Sequence, residues 1–329
     1  MKRRKLLIAL GASALAAPLA AFAQPQGKAA RIGFFYFGSR QSAVDTGRYP
    51  AFVQAMRDLG YIEGKNLTIE SRFADGRPER VPALAAELVK LNVDVIVATG
   101  SATYRALQLA TSTIPVVLTV GVDPVAGGFA ASMARPGRNF TGLTDTAADL
   151  NPKLLELLMA VVPKLTRIGL LLQPDNTSHP DQLKKLLLVA QKIGVQIVIA
   201  EAGTGDTIAN SLAFFVRERT KAFITLNDTY FTQQAKTIAT MAVEHRLASI
   251  TANYEYATLG GLMNYGANLV DNFTRAATYV DRILKGAKPG ELPFESPTRY
   301  HLVINRKTAK TLGLSIPQTL IVSAEKVID

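Results

Sequence analysis

The sequence predicts an α/β fold built as two similar lobes with parallel central sheets. Three observations carry this. Short β-branched runs alternate with helical stretches along the whole chain, which is the order of strand–helix–strand units in parallel sheets. The run Arg31-Ile32-Gly33-Phe34-Phe35 echoes Arg167-Ile168-Gly169-Leu170-Leu171, so the pattern restarts half-way. The clearest unit, Val93–Pro124, reads strand–turn–helix–strand, a crossover whose two strands are parallel.

In that unit Val93–Ala98 has no helical spacing and reads as a strand buried on both faces. Thr99-Gly100-Ser101 turns, Ala102–Ala110 reads as a helix, and Ile114–Val120 as the second strand. Before it come a strand at Arg31–Phe37, a polar turn at Gly38–Ser42 and a helix at Tyr49–Leu59. A strand at Asn66–Phe73 and a helix from Pro78 to Leu91 complete that part. After it, Pro124–Met133 reads as a further helix, Arg135–Asn139 as a turn and Phe140–Thr144 as a strand.

The second series has helices at Pro152–Val162, Pro180–Ile193, Thr207–Arg219 and Thr232–His245. Its strands are Arg167–Leu172, Val195–Ala200, Lys221–Leu226 and Leu247–Ala252. Then follow a strand at Leu262–Tyr265, a long helix at Leu269–Lys285, a loop at Gly286–Pro293 and a strand at Tyr300–Ile304. A short helix at Lys307–Leu312 and a tail at Pro317–Val327 end the chain. The boundary between lobes is expected near Asp145–Asn151, with a return near Tyr265 that makes both lobes discontinuous. The first lobe would hold 31–145 plus about 266–289, the second 146–265 plus about 290–329.

The first 23 residues read as a signal peptide. Lys2 to Lys5 are basic, Leu6–Leu19 is a short apolar core and Ala21-Phe22-Ala23 fits cleavage after Ala23. Export to the periplasm is the expectation, by the general secretory or the twin-arginine route; Gln24–Ala30 would be a linker. Removal of four basic residues takes the net charge from +11 to +7. The remaining charge is spread thinly and no nucleic-acid motif accompanies it, so a nucleic-acid partner is not expected. With no cysteine, disulfides, thiolate metal sites, a cysteine nucleophile and a lipoprotein anchor are excluded.

Ligands of open parallel sheets sit outside the carboxyl ends of the strands. In the first lobe this selects Ser39, Thr99, Ser101, Ala102 and Asp123. Thr99-Gly100-Ser101 precedes a helix whose free N–H groups suit a carboxylate, Ala102 offering only its backbone N–H, although Ser101 serves equally well as a plain helix cap. Asp123 stands before Pro124, as a partner for a ligand ammonium or as a turn residue. In the second lobe the matching positions are Asn176 and Asp228, as ligand contacts or as ordinary Asx turns. Tyr254 and Tyr265, near the presumed crossing strands, suit stacking on a ligand or packing in the core. The histidines His179, His245 and His301 have no metal spacing and read as surface groups. No nucleophile elbow, phosphate loop or complete dinucleotide fingerprint is present, so neither catalysis nor a cofactor or metal is expected.

Several blocks carry a family likeness. They include Met56-Arg57-Asp58-Leu59-Gly60-Tyr61, Ile114-Pro115-Val116-Val117, Gly121-Val122-Asp123-Pro124-Val125 and Ala134-Arg135-Pro136-Gly137-Arg138-Asn139. Gly260-Gly261-Leu262-Met263, Tyr265-Gly266-Ala267-Asn268 and Tyr279-Val280-Asp281-Arg282-Ile283-Leu284-Lys285-Gly286 follow in order. Together they resemble the substrate-binding proteins of ABC transporters, in the type I periplasmic-binding-protein class. The branch is similar to tryptophan/tyrosine transporter components. The resemblance implies two Rossmann-like lobes joined by three crossing strands, with a small polar ligand, such as an amino acid, held between them. It implies a monomer that docks on a membrane permease driven by a separate ATPase subunit. Two other readings remain at this point: a ligand-binding partner of a membrane sensor or chemoreceptor, and a secreted α/β enzyme.

Overall fold

The computed structural model describes residues 29–329 apart from 121, 145, 146, 177 and 298. The predicted signal peptide, its cleavage point and most of the linker lie outside the described residues, as do Gly121 and the first two positions of the expected boundary.

The first half builds a five-stranded sheet. β1 (Ala30–Tyr36) is followed by α1 (Arg40–Asp45), α2 (Arg48–Asp58) and β2 (Leu67–Phe73). A 3₁₀ turn at Pro78–Arg80 leads into α3 (Val81–Lys90), then β3 (Val95–Thr99), α4 (Ser101–Ala110), β4 (Val116–Leu118) and β5 (Phe140–Gly142). The strand order is β2-β1-β3-β4-β5 and every pair is parallel. All five residues of β3 are buried, as a strand covered on both faces requires.

The second half contributes α5 (Ala147–Val161), β6 (Arg167–Leu172), α6 (His179–Lys192), β7 (Gln196–Glu201), α7 (Gly205–Arg217) and β8 (Ala222–Thr225). Next come α8 (Thr229–Gln233), α9 (Ala235–Glu244), β9 (Ala248–Thr251), β10 (Met263–Gly266) and α10 (Leu269–Leu284). The chain ends with β11 (His301–Asn305), α11 (Arg306–Thr311), α12 (Gln318–Ser323) and β12 (Lys326–Ile328). This sheet runs β12-β11-β10-β9-β8-β6-β7, parallel except for the β10–β11 pair. The echoing RIGFF and RIGLL runs are β1 and β6, each beside the strand that follows it in sequence.

α10 belongs to the first sheet although it lies late in the chain. Phe273, Ala276, Ala277 and Val280 recur at helical spacing on one face. They pack with Phe34, Tyr36 and Phe52 in one buried cluster. The chain therefore passes from the first sheet to the second after β5, back before α10, and across again before β11. The stretch before that last passage runs beside β5: the Glu295 N–H donates to the Gly142 carbonyl at 3.0 Å, and the Thr144 N–H to the Glu295 carbonyl at 3.0 Å.

Local chemistry moves several predicted elements. The expected turn at Gly38–Ser42 is partly α1, because Ser39 Oγ accepts the Ser42 N–H at 3.0 Å and caps a short helix. The expected helix at Pro124–Met133 is a run of turns. Asp123 Oδ1 takes the N–H groups of Val125 and Ala126 at 2.9 and 3.0 Å, and Gly128 then adopts φ +73°. The helix expected over Thr232–His245 is two, meeting at Gln234. Pro152 lies inside α5 rather than opening it. The tail supplies β12, paired in parallel with β11.

Candidate functional site

The carboxyl ends of the two sheets meet at a cleft. On the first side β3 ends at Thr99, and Gly100 adopts φ +102° before α4 begins. A Cβ on Gly100 would lie 2.9 Å from Thr229 Oγ1 of the opposite lobe and 3.3 Å from Phe37 Cβ. Only glycine lets the α4 N-terminus approach the second lobe this closely. No side chain caps α4, so its first N–H groups remain available to a ligand anion.

On the second side β8 leads to Asp228. Its Oδ1 accepts the Tyr230 N–H at 2.6 Å and caps α8, and its Oδ2 accepts Asn176 Nδ2 at 2.8 Å. Ser101 Oγ donates to the same Oδ2 at 3.3 Å across the cleft. Burial pushes the Asp228 carboxyl above its ordinary range, opposed by His179 and by these hydrogen bonds. Asn176 Oδ1 in turn accepts the Ser178 N–H at 3.0 Å, and Ser178 Oγ accepts the Asp123 N–H at 3.3 Å, a second bond between the lobes.

His179 ties the two turns of the second lobe together. Its Nδ1 accepts the Gln173 N–H at 3.0 Å, and Nε2 donates to the Asn227 carbonyl at 3.2 Å. Burial lowers its pKa, with Asp228 acting in the opposite sense. The surface position expected for His179 is thus corrected: it is 1% exposed, because it fills the space between the β6 and β8 turns while satisfying both. His245 ends α9, as expected, and His301 pairs with Glu325.

A cavity of about 320 Å³ opens at this junction. Phe37, Val81, Ala106 and Phe129 of the first lobe line it, together with Ser101 and Ala102. Gln173, Asp175, Asp228, Thr229 and Tyr230 line it from the second. Two buried polar atoms of lining residues, Gln173 Oε1 and Tyr230 OH, have no hydrogen-bond partner.

Of the residues expected at a site, Ser101, Ala102 and Asp228 line the cavity. Asn176 stands behind Asp228 as its hydrogen-bond donor. Thr99 lies beneath, bonded to Thr119 Oγ1 at 2.8 Å. Ser39 is the α1 cap, and the Asp123 side chain is taken up by its own turn. The two tyrosines are not brought to the cavity. Tyr254 OH donates to Glu325 at 2.9 Å with its ring edge-on to His301. The Tyr265 ring lies tilted beside Tyr300, with ring centroids 6.0 Å apart. The apolar wall went unread in the sequence, since an isolated Phe37 or Phe129 carries the same signal as any core residue. Tyr230 and Gln173 follow strand ends and could have been found by that rule.

A family model described as ABC transporter substrate binding protein matches residues 43–328. The chain belongs to this family. Among its relatives is a tyrosine-binding protein of Clostridioides difficile (strain R20291), 24% identical over 263 residues, which cover 80% of this chain and 75% of the relative. Among solved structures, a conserved domain protein from Vibrio cholerae O1 biovar El Tor superposes with TM-score 0.85 at 27% identity, over 91% of this chain and all of that one. The ABC domain in complex with L-Trp from Streptococcus pneumonia superposes with TM-score 0.83 at 23% identity, over 91% and 99% of the two chains. The cavity lies at the carboxyl ends of the strands, the place where open parallel sheets bind their ligands. Among the described residues, no group of His, Asp and Glu converges as a metal site, and no helix is long and apolar enough to cross a membrane.

Proposed function

We propose that this substrate-binding protein is exported to the periplasm and holds a free amino acid with an aromatic side chain between its lobes, as a monomer serving an ABC importer. The cavity carries this reading: an apolar wall on one side, an uncapped helix N-terminus at Ser101 and Ala102, and carboxylates at Asp175 and Asp228 facing them. A zwitterion complements that layout. Its carboxylate suits the α4 N–H groups and Ser101 Oγ, its ammonium suits Asp228 and Asp175, and its ring suits Phe37, Phe129 and Tyr230. Hydrogen bonds to charged groups contribute about 1.5–3 kcal/mol each. The names of the tyrosine-binding relative and of the L-Trp complex support the same class.

The mechanism is closure, with the solute left chemically unchanged. A ligand favours the closed arrangement only to the extent that it binds that form better than the open one. We assign the lobes as 30–144 with 267–296 and 147–266 with 299–329, so that three connections cross between them. Transport itself then falls to a permease and a separate ATPase subunit, since the chain contains no G-x-x-x-x-G-K-[ST] run.

Calorimetry with L-tyrosine, L-tryptophan and L-phenylalanine tests the reading, together with mass spectrometry of the solute retained on purification. Binding of at least one of them, recovered intact, is expected. A ligand at 100 times its dissociation constant adds about 2.7 kcal/mol to stability, so thermal shift reads the same result. No binding of any of the three would overturn the assigned class, and a changed product mass would overturn the non-catalytic mechanism.

A further inference from the structure

Arg48 opens α2 in the first lobe and is 1% exposed, an unusual position for a guanidinium. Its Nη1 donates to Tyr36 OH at 2.8 Å, within its own lobe. Its Nη2 reaches the other lobe, donating to Glu255 Oε1 at 2.9 Å and Oε2 at 3.1 Å. Glu255 stands in the loop between β9 and β10, where its N–H donates to Asn253 Oδ1 at 3.1 Å and its carbonyl accepts Thr258 Oγ1 at 2.6 Å. Neither Arg48 nor Glu255 lines the cavity.

We propose that the Arg48–Glu255 pair is a latch between the lobes that sets how readily the protein closes, apart from any contact to the ligand. The inference rests on the two-lobe closure described above, though not on the class of ligand. Arg48 Nε is buried and unpartnered, so the guanidinium is already incompletely satisfied and depends on Glu255 for its counter-charge. A buried charge stripped of its partner is far less favourable than the intact pair, whereas an apolar replacement of both partners is often neutral. When the lobes separate, water replaces Glu255 around Arg48 and the penalty vanishes. Removal of Glu255 alone therefore disfavours the closed form selectively and leaves the open form and the fold of each lobe unaffected. Arg48 and Glu255 are positioning residues for binding, acting through the equilibrium between the two forms.

The chain has no cysteine, which permits a direct measurement. Ser101 Oγ meets Asp228 Oδ2 side chain to side chain between the lobes, so a Ser101→Cys/Asp228→Cys pair can be linked when the lobes are closed. In a fixed thiol–disulfide buffer, the rate of disulfide trapping follows the closed population, however small. No amino acid is added, which separates this result from the ligand assignment. In this background Glu255→Gln is expected to slow trapping about tenfold, while the melting temperature of the reduced protein stays within experimental scatter of the parent. Arg48→Met combined with Glu255→Gln is expected to trap faster than Glu255→Gln alone, because no lone charge remains. Trapping by Glu255→Gln within twofold of the parent would overturn the latch. A double variant as slow as the product of the two single effects would overturn it too, since the residues would then act independently. If Arg48→Met fails to fold, Glu255→Gln and Glu255→Ala decide the first outcome alone.

Discussion

Ser101 and Asp228, 127 residues apart, meet across the cleft through a hydroxyl–carboxylate hydrogen bond of 3.3 Å. One stands at the first turn of α4 and the other caps α8, so the two strand-end turns of opposite lobes share one donor–acceptor pair. A ligand's polar groups placed between these turns would compete for, or add to, the same atoms.

The double substitution Ser101→Ala/Asp228→Ala removes this pair and the carboxylate we propose as the partner of a ligand ammonium. Amino-acid affinity is expected to fall about 100-fold or more, as the loss of two charge-assisted bonds implies. Loss of the α8 cap costs about 1 kcal/mol, so the protein stays folded. Calorimetry with L-tyrosine and L-tryptophan, beside thermal unfolding, reads both effects; unaltered affinity would place the ligand elsewhere.

His179 makes stability depend on pH. Burial lowers its folded-state pKa, so the unfolded chain takes up a proton near pH 6.5 that the folded chain refuses. More protons are then bound in the unfolded state, and this contribution to stability is lost as pH falls below about 6.5. Urea midpoints measured between pH 8 and pH 5 should decline for the parent more steeply than for His179→Gln. Equal slopes would mean that His179 takes up its proton as readily in the folded protein as in the unfolded chain.

Tyr230→Phe separates folding from binding. The Tyr230 hydroxyl is buried without a partner, so its removal should leave the ligand-free melting temperature unchanged or slightly higher. The same change should weaken an amino acid whose side chain reaches that hydroxyl. A lowered melting temperature would reveal a partner for the hydroxyl in the folded protein.

Two glycines stand where the chain leaves one lobe for the other. A Cβ on Gly142 would lie 2.4 Å from the Leu118 carbonyl oxygen, and Gly142 has φ +124°. A Cβ on Gly266 would lie 1.8 Å from the Ala252 carbonyl oxygen. Both obstacles are backbone and cannot rotate away. Gly142→Ala and Gly266→Ala are each expected to destabilise by about 3 kcal/mol or more, beyond ordinary overpacking, as read from urea unfolding. Gly60→Ala, with open space around it but φ +91°, provides a milder comparison.

Much of the architecture was legible because buried parallel strands are short apolar runs. The echo that became β1 and β6 and the apolar face of α10 were read at nearly their observed bounds, and the unit from β3 to β4 in its element order, although its second strand, expected over Ile114–Val120, spans Val116–Leu118. What escaped was decided by single side chains. Asp123 turned an expected helix into turns by capturing two N–H groups, and Ser39 made a short helix out of an expected turn. At the cleft, the polar strand ends Ser101 and Asp228 could be found from topology. The apolar wall could not, because nothing in a sequence separates Phe129 facing a cavity from Phe140 packed beside it at 5.4 Å. Tyr254 and Tyr265 were drawn to the cleft by their nearness to the crossings, but their rings pack beside His301 and Tyr300.

Phe273, Ala276 and Ala277 of α10 complete a core that also holds Phe34 and Phe52, translated more than two hundred residues earlier. The half of the molecule that is synthesised first therefore cannot finish folding until α10 has been made. A nascent chain stopped after β10 would expose the aromatic faces of β1 and α2, a natural target for holding factors during synthesis.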